Sequence, residues 1–329
     1  KKTKDLLLNA TLAPSMGFLS AYRNVGSVSN SGLELTIDTK NIQTKEFSWT
    51  SSFNISFNRN KVLSLNDDEP SLASRVNWGN FNNAYPYIAI PGHPIAMFYG
   101  HIFDGVYQYT DFDKVGESYI LKDGVPNNGN AREKIQPGDI KFKDINRDGV
   151  VNDYDLTIIG NPNPKHIGGF GNNFQYKNFD LNVFFQWSYG GDVLNANRIE
   201  FEGGDPNART SLNMFASFAN RWTPENQTNE LYRIGGQGPA VYSSRTIEDG
   251  SFLRLKTVSL GYRLPNAWLK KINIKSLRVY ASAQNLITWT RYSGPDPEVS
   301  TRPTALTPSF DWSPYPRPRT LTLGVDISF

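Results

Sequence analysis

The sequence predicts an all-β protein, an antiparallel transmembrane β-barrel wall of seven to eight strands left as an open curved sheet, with long external loops. Three observations predict it. Seven segments alternate apolar and polar residues with period two, as a strand with two unlike faces must. Aromatic residues make up 13% of the 329 and sit among β-formers and turn formers, leaving little room for long helices. Connections between the segments are alternately short (43–46, 177–178, 265–273) and very long (66–165, 190–249, 290–318). A soluble sandwich has no reason to sort them so, whereas a barrel has short periplasmic turns and long external loops.

In chain order, residues 3–8 read as the end of a strand that begins upstream, and 9–30 as loop punctuated by Pro14, Gly17 and Gly26. Over 32–42, Leu33, Leu35 and Ile37 oppose Glu34, Thr36 and Asp38. Over 47–58, Phe47, Trp49, Phe53, Ile55 and Phe57 alternate with polar residues, a length that crosses a bilayer as a tilted strand. Residues 66–165 form a long Asn-, Asp-, Gly- and Pro-rich excursion, placed outside the wall by counting strand directions. Within it 94–109 and 139–142 are expected to pair.

Alternation returns over 168–176 and is sharpest over 179–187, where only Phe184 breaks it. Residues 211–222 have helical spacing, stopped by Pro224, and read as a short amphipathic helix on a loop. Over 252–264 the parity changes between Leu255 and Val258, which places a β-bulge near Lys256 or Thr257. Strand 277–289 follows, and then a Pro-rich loop delivers the last strand, with Leu321, Leu323, Val325, Ile327 and Phe329 opposing Thr322, Gly324, Asp326 and Ser328. Trp49, Tyr262 and Phe329 fall near inner strand ends and Trp187, Tyr189 and Trp289 near outer ends, as two interfacial girdles require.

The 34 basic and 31 acidic residues produce no single-sign field and indicate no nucleic-acid partner. Absence of cysteine excludes disulfides, zinc-thiolate sites and a cysteine nucleophile. No apolar run reaches the ~18 residues of a transmembrane helix, a test that a barrel wall escapes. The basic start lacks the apolar core of a signal peptide and reads as a cut inside a larger chain.

One stretch has a chemical signature. Asp144, Asn146, Asp148, Asn152 and Asp155 stand at positions 1, 3, 5, 9 and 12 of a loop, with Gly149 at 6 and the carbonyl of Val150 at 7. That spacing lets a tight loop wrap a hard cation, so structural Ca2+ is expected. The other reading is an Asx-rich turn held by its own hydrogen bonds. Position 12 is Asp rather than the longer Glu, and the preceding segment reads as strand, against an EF-hand pair. His93, His101 and His166 are isolated, and no acid–base pair, phosphate loop or nucleophile elbow appears, so no enzyme is expected. Asp180, Asn182, Gln186, Arg278, Gln284 and Asp326 lie on the polar parity of their strands, where they either line a lumen or simply face water.

Several segments together resemble the SusC/RagA-type TonB-dependent outer-membrane transporters, in that family's C-terminal part. They are Asn24-Val-Gly26-Ser-Val-Ser-Asn30-Ser-Gly32-Leu-Glu34, Pro94-Ile95 with Phe98-Tyr99-Gly100, Asp104-Gly105-Val106-Tyr107-Gln108, and Gly138-Asp139-Ile140. They continue with Gly160-Asn161-Pro162-Asn163-Pro164, Phe252-Leu253-Arg254-Leu255-Lys256, Leu260-Gly261-Tyr262, Gln284-Asn285-Leu286, Tyr292-Ser293-Gly294 and Asp296-Pro297-Glu298. The resemblance implies a barrel of about 22 strands closed by an N-terminal plug, both largely absent here, in the outer membrane of a Gram-negative bacterium. It implies energy from TonB through the missing part, a SusD-like surface lipoprotein as lid, and import of glycans or, in some members, peptides. It further implies that Phe329 is the signal read by the outer-membrane insertion machinery.

Two other readings stay open on the residues. A small complete barrel, a passive pore or surface anchor, predicts a closed cylinder. A soluble extracellular calcium-stabilised carbohydrate-binding module predicts Phe53, Phe185 and Leu323 packed in one buried core.

Overall fold

Eight strands lie side by side in the order in which the chain makes them, and every pairing is antiparallel. In this computed structural model they are β1 (Lys2–Thr3), β2 (Ser27–Gln43), β3 (Phe47–Ser64), β4 (His166–Tyr176), β5 (Phe179–Tyr189), β6 (Phe252–Arg263), β7 (Ser276–Thr290) and β8 (Thr320–Ser328). The structure describes residues 1–4, 7–11, 15, 17, 20–24, 26–65, 69–81, 84–203, 212–270, 273–301 and 303–329. Among them β1 and β8 have no second neighbour in this sheet, so it is open, and the small closed barrel is not what forms.

Seven long strands and one short one match the expected wall, with two corrections at its start. The short strand is Lys2–Thr3, paired with Val28 and Ser29, rather than 3–8. Leu7–Thr11 instead pairs with Ser20–Asn24 in a hairpin of its own, so 9–30 is not all loop. The remaining strands fall close to their expected places, but β2 starts at Ser27 rather than 32 and β3 runs to Ser64 rather than 58. The extra length carries the hairpin up into the loops, where the Val62 amide donates to the His93 carbonyl and the Val62 carbonyl accepts from Gly92.

One face of the sheet is apolar and uncovered. Phe47, Tyr176, Phe179 and Tyr262 stand opposite one another in a single row near the short turns, and Trp187, Leu253 and Trp289 in a row near the loops. Leu321, Leu323 and Val325 are 78%, 86% and 54% exposed. Among the described residues no buried cluster contains Phe53, Phe185 or Leu323, which overturns the soluble-module arrangement. The apolar parity skips Ser51, and its hydroxyl donates to Asn172 Oδ1 (2.8 Å), which Trp49 Nε1 also reaches (2.9 Å).

The expected bulge is present and larger than expected. Between the rows Val183–Val258–Ala283 and Phe185–Leu255–Ile287, β5 has one intervening residue (Phe184), β6 two (Lys256, Thr257) and β7 three (Gln284, Asn285, Leu286). Asn285 takes φ 53°, a region asparagine tolerates better than most residues. The widening band bends the staves and keeps each apolar set on one face.

Buried apolar clusters belong to the loops. Trp78, Phe81, Tyr87, Phe98, Leu194 and Phe310 make one core, drawn from all three long connections. Val106, Ile140, Phe142, Trp222 and Leu231 make another. As expected, part of 94–109 pairs with 139–142: Phe103–Val106 lies against Ile140–Phe142. Met97–Gly100 pairs elsewhere, with Tyr87–Ala89 and Thr157–Gly160. The helix expected over 211–222 is not formed as such. Only Ala216–Asn220 makes a 3-10 turn, Ser211 lies outside the described residues, and Trp222 leaves the helical spacing to pack in the second core. Gly160-Asn161-Pro162-Asn163-Pro164 fastens this layer to the wall: Asn60 Nδ2 donates to Asn163 Oδ1 (2.7 Å), and Asn60 Oδ1 accepts from Ile95 N (2.7 Å).

Candidate functional site

Alternate residues leave a strand on opposite sides, so register decides which side chains share a face. Asp180 stands opposite Gly261, Gly261 opposite Tyr280, and Tyr280 opposite Gly324. Asn182, Ser259, Ser282 and Thr322 form the next row, and Gln186, Arg254 and Thr288 one nearer the loops. Gln284 aligns with Thr257 and Thr320, and Arg278 with Arg263 and Asp326. All six residues singled out from the sequence, Asp180, Asn182, Gln186, Arg278, Gln284 and Asp326, therefore occupy one face. Phe184 shares it, lying over Gly169 and Gly171, where no side chain competes for the space.

Near the short turns, Arg278 forks onto Asp180, Nη2 to Oδ2 at 2.6 Å and Nε to Oδ1 at 2.9 Å, while Nη1 reaches Asp326 Oδ2 at 3.2 Å. This crossing needs Gly261: a Cβ there would lie 2.5 Å from Arg278 Nη2 and 2.6 Å from Asp180 Oδ1. Asn182 Nδ2 donates to Asn173 Oδ1 (2.6 Å). A cavity of about 490 Å3 opens here, lined by Ser48, Thr50, Asn173, Lys177, Arg263 and Arg278 among others.

At the other end the polar face is roofed by the loop before β8. Arg254 Nη2 lies 2.5 Å from Asp296 and Nη1 3.3 Å from Glu298, while Arg317 reaches Asp296 at 3.0 Å and Glu298 at 2.8 Å. Gln186 Nε2 donates to Glu298 Oε1 (3.4 Å). Two carboxylates between two arginines compensate the charge of a guanidinium that is otherwise too costly to bury, through Nη1 and Nη2, while Arg254 Nε is left without a hydrogen-bond partner. A cavity of about 550 Å3 lies under this roof, with Asn54, Gly169, Phe184, Gln186, Phe252 and Glu298 in its lining. Arg254, Asp296 and Glu298 stand in segments that carry the family resemblance, and nothing in their strand parity marks them as partners. Their opposite charges were the available signal.

The long connection 190–249 is joined to the roof by a second polar network. Glu202 accepts from Arg198 (2.8 Å), Arg245 (2.7 Å) and the Ser217 hydroxyl (2.6 Å). Burial alone would raise its pKa, but Ser217 and the two guanidinium groups outweigh that and hold the carboxyl below its usual range. Glu248 accepts from Ser293 N and Oγ, each at 2.8 Å. Asp311 accepts from Asn197 Nδ2 (2.9 Å) and the Tyr292 hydroxyl, and burial nonetheless keeps its pKa raised.

The acidic loop is closed by its own amides. Asp144 accepts from Arg147 N and Gly149 N, Asp148 Oδ1 from Val150 N, and Asn152 Oδ1 from Tyr154 N. Asp155, fully buried, accepts from Ile145 N (2.7 Å) and Asn152 N (2.9 Å). Gly149 takes φ 85° at the sharp turn. Among the described residues no three acidic or histidine side chains are gathered as a metal site. Phe329 lies beyond the last paired residue of β8 and is 77% exposed.

No family model matches the sequence. Over its whole length the chain is 35% identical to TonB-dependent receptor P3 of Formosa agariphila, covering 31% of that protein. It is 29% identical to TonB-dependent receptor SusC of Bacteroides thetaiotaomicron, covering 29% of it. Among solved structures, that of the RagAB peptide transporter aligns with all of this chain and 32% of its own, at 25% identity and a TM-score of 0.75. The chain thus spans about a third of the length of the proteins it matches. These relatives are receptors and transporters, not enzymes. By sequence along its full length and by the fold of its sheet and loops, the chain belongs to the SusC/RagA-type TonB-dependent receptors.

Proposed function

We propose that the receptor of which this chain forms part of the wall imports a nutrient across the outer membrane of a Gram-negative bacterium, driven through TonB, with a glycan as its substrate. The observation that carries this is the division of one sheet into two faces: an uncovered apolar face suited to lipid and a polar face built of fixed ion pairs and amides. Asp180, Asn182, Gln186, Arg278, Gln284 and Asp326 then line the passage. The three long connections, 66–165 included, form the extracellular side, and a SusD-like lipoprotein covers it. Phe329 serves as the insertion signal, for which its exposed place after β8 leaves it free.

Peptide is the second reading for the cargo, favoured by the similarity to a structure described as a peptide transporter. Uptake by cells carrying the full receptor tests the proposal. Labelled oligosaccharide should accumulate only when TonB is functional, and accumulation that ignores TonB contradicts it. Accumulation of peptide in place of glycan supports the second reading.

For loop 144–155 the proposal is structural Ca2+, held by Asp144, Asn146, Asp148, the Val150 carbonyl, Asn152 and Asp155. It is supported by the donor spacing and by the turn at Gly149. The loop's closure by its own amides favours the plain Asx-turn reading instead, and chelation distinguishes the two.

A further inference from the structure

On the side of the long connections the apolar face of the sheet ends in a row of rings. Phe57 of β3, His166 of β4 and Tyr189 of β5 lie side by side, with successive ring centres 5.6 Å and 5.1 Å apart. Ten residue steps along β3 separate Phe57 from Phe47 in the row near the short turns. At ~3.3 Å per step and a tilt of ~40° they climb about 25 Å, the height of the apolar band of a membrane barrel. Residues that continue on this face beyond Phe57 therefore stand among lipid headgroups.

Those residues are basic. Arg59 and Lys61 follow Phe57 on its parity and pair with Ser31 and Ser29 of β2, and Lys2 of β1 pairs with the same Ser29. Residues directly opposite share a face, so Lys2, Arg59 and Lys61 all point outward. Arg59 Nη1 donates to the carbonyls of Asn58 (2.9 Å) and Lys165 (2.7 Å), which sets the guanidinium against the bend that enters β4. Lys165 places Nζ over the Tyr189 ring, 5.8 Å from its centre. Gly190 leaves it room, since a Cβ there would lie 2.7 Å from Lys165 Cγ.

All four cations are exposed, and among the described residues none has a carboxylate within ion-pair distance. Arg198, Arg245, Arg254, Arg278 and Arg317 each have one. Lys165 acts on Asp192 only at longer range. Like charges gathered in this way repel until an anion joins them. That anion must belong to an amphiphile, because the patch continues directly into exposed Leu33 and Leu35 on the lipid side. Arg59 keeps Nε and Nη2 free, the fork that suits a phosphate. Lys2 and Lys61 lie on either side of β2, about 10 Å apart, farther than one phosphate bridges. We infer that this patch binds an outer-leaflet lipid carrying two or more phosphates, of the lipid A type, with its acyl chains along Leu33, Leu35 and Phe57. The inference rests on the lipid-facing reading of the apolar face and on the extracellular reading of the long connections, not on the cargo.

The test uses the full receptor in phosphatidylcholine nanodiscs containing bisphosphorylated lipid A, the same lipid stripped of its phosphates, or phosphatidylglycerol. Lipid retained after release from the disc is counted by native mass spectrometry. The receptor should retain bisphosphorylated lipid A and hold each of the other two at least ~10-fold less, equivalent to ~1.4 kcal/mol. This comparison needs no variant. Arg59→Gln combined with Lys61→Gln should lower retention of lipid A by a similar factor with the melting temperature unchanged. Lys270→Gln combined with Lys275→Gln, which removes the same charge from exposed positions between β6 and β7, should not. Equal retention of the dephosphorylated lipid or of phosphatidylglycerol, retention that survives the Arg59 and Lys61 substitutions, or an equal loss at Lys270 and Lys275 would overturn the inference. A receptor that gives any of these results while importing normally loses this site and keeps the import reading.

Discussion

Arg254 of β6 and Asp296 of the loop before β8 meet at 2.5 Å, with 3% of the arginine side chain and 11% of the aspartate side chain exposed. A pair buried to this degree acts as a latch between wall and roof, because removing Asp296 leaves the buried guanidinium only its longer contact to Glu298. Asp296→Ala should lower the free energy of local opening of 294–300 by about 1.5–3 kcal/mol. Hydrogen exchange of those amides in the folded receptor measures this, and Asp296→Asn, which keeps one acceptor, should lose less. Unchanged protection in Asp296→Ala would show that the loop is held elsewhere.

Gly261 makes room for the guanidinium that bridges β5 and β8. The atoms a Cβ would strike are the ends of flexible side chains, so Gly261→Ala should fold and displace Arg278 from Asp180. A partly exposed pair of this kind contributes at most about 1 kcal/mol. The expected result is therefore a small loss in denaturant resistance with the Arg278 to Asp180 contact gone from a structure of the variant. A variant with the contact intact would contradict the role given to Gly261.

Acid should loosen the loops through Glu202. Its folded pKa is depressed, so its contribution is fully present above the unfolded value of ~4.3 and is lost as pH falls through the folded value. Exchange protection of 197–248 should fall in that acid window. Glu202→Gln should be weaker already at neutral pH, by about 1.5–3 kcal/mol, and should flatten the acid limb. The same limb in wild type and variant would place the sensitivity on another group.

Calcium binding at 144–155 has a direct readout. Chelation should lower the melting temperature of the receptor, and Asp144→Asn should abolish that sensitivity, because position 1 supplies a charged ligand. A melting temperature indifferent to chelator would leave the loop as an Asx turn.

The wall was legible in the sequence because each long strand carries its own period-two pattern, which needs no knowledge of its neighbours. The parity break after Leu255 located the bulge for the same reason. The extra residues at Asn285 and Leu286 escaped notice because two insertions restore parity, so Ala283 and Ile287 read as uninterrupted. The loop layer was mostly illegible. Its strands are short, and contacts such as Leu194 against Phe310 join residues far apart in the chain. Helical spacing over 211–222 misled because Phe215, Phe218 and Trp222 answer to loop neighbours rather than to one helix face. The six polar-face residues were found by parity alone, whereas Arg254 with Asp296 and Glu298 required the fold.

The two faces of β8 should meet different solvents, lipid on the side of Leu321, Leu323 and Val325 and water on the side of Thr322, Gly324 and Asp326. Spin labels on single cysteines introduced at these positions, in the receptor reconstituted in bilayers, measure it by collision with oxygen, which favours lipid, and with a water-soluble nickel chelate. The chain itself contains no native cysteine to interfere. Accessibility should alternate with period two, oxygen dominating at 321, 323 and 325 and nickel at 322, 324 and 326. Equal nickel accessibility at both sets, or protection of 321, 323 and 325 from both reagents, would contradict it.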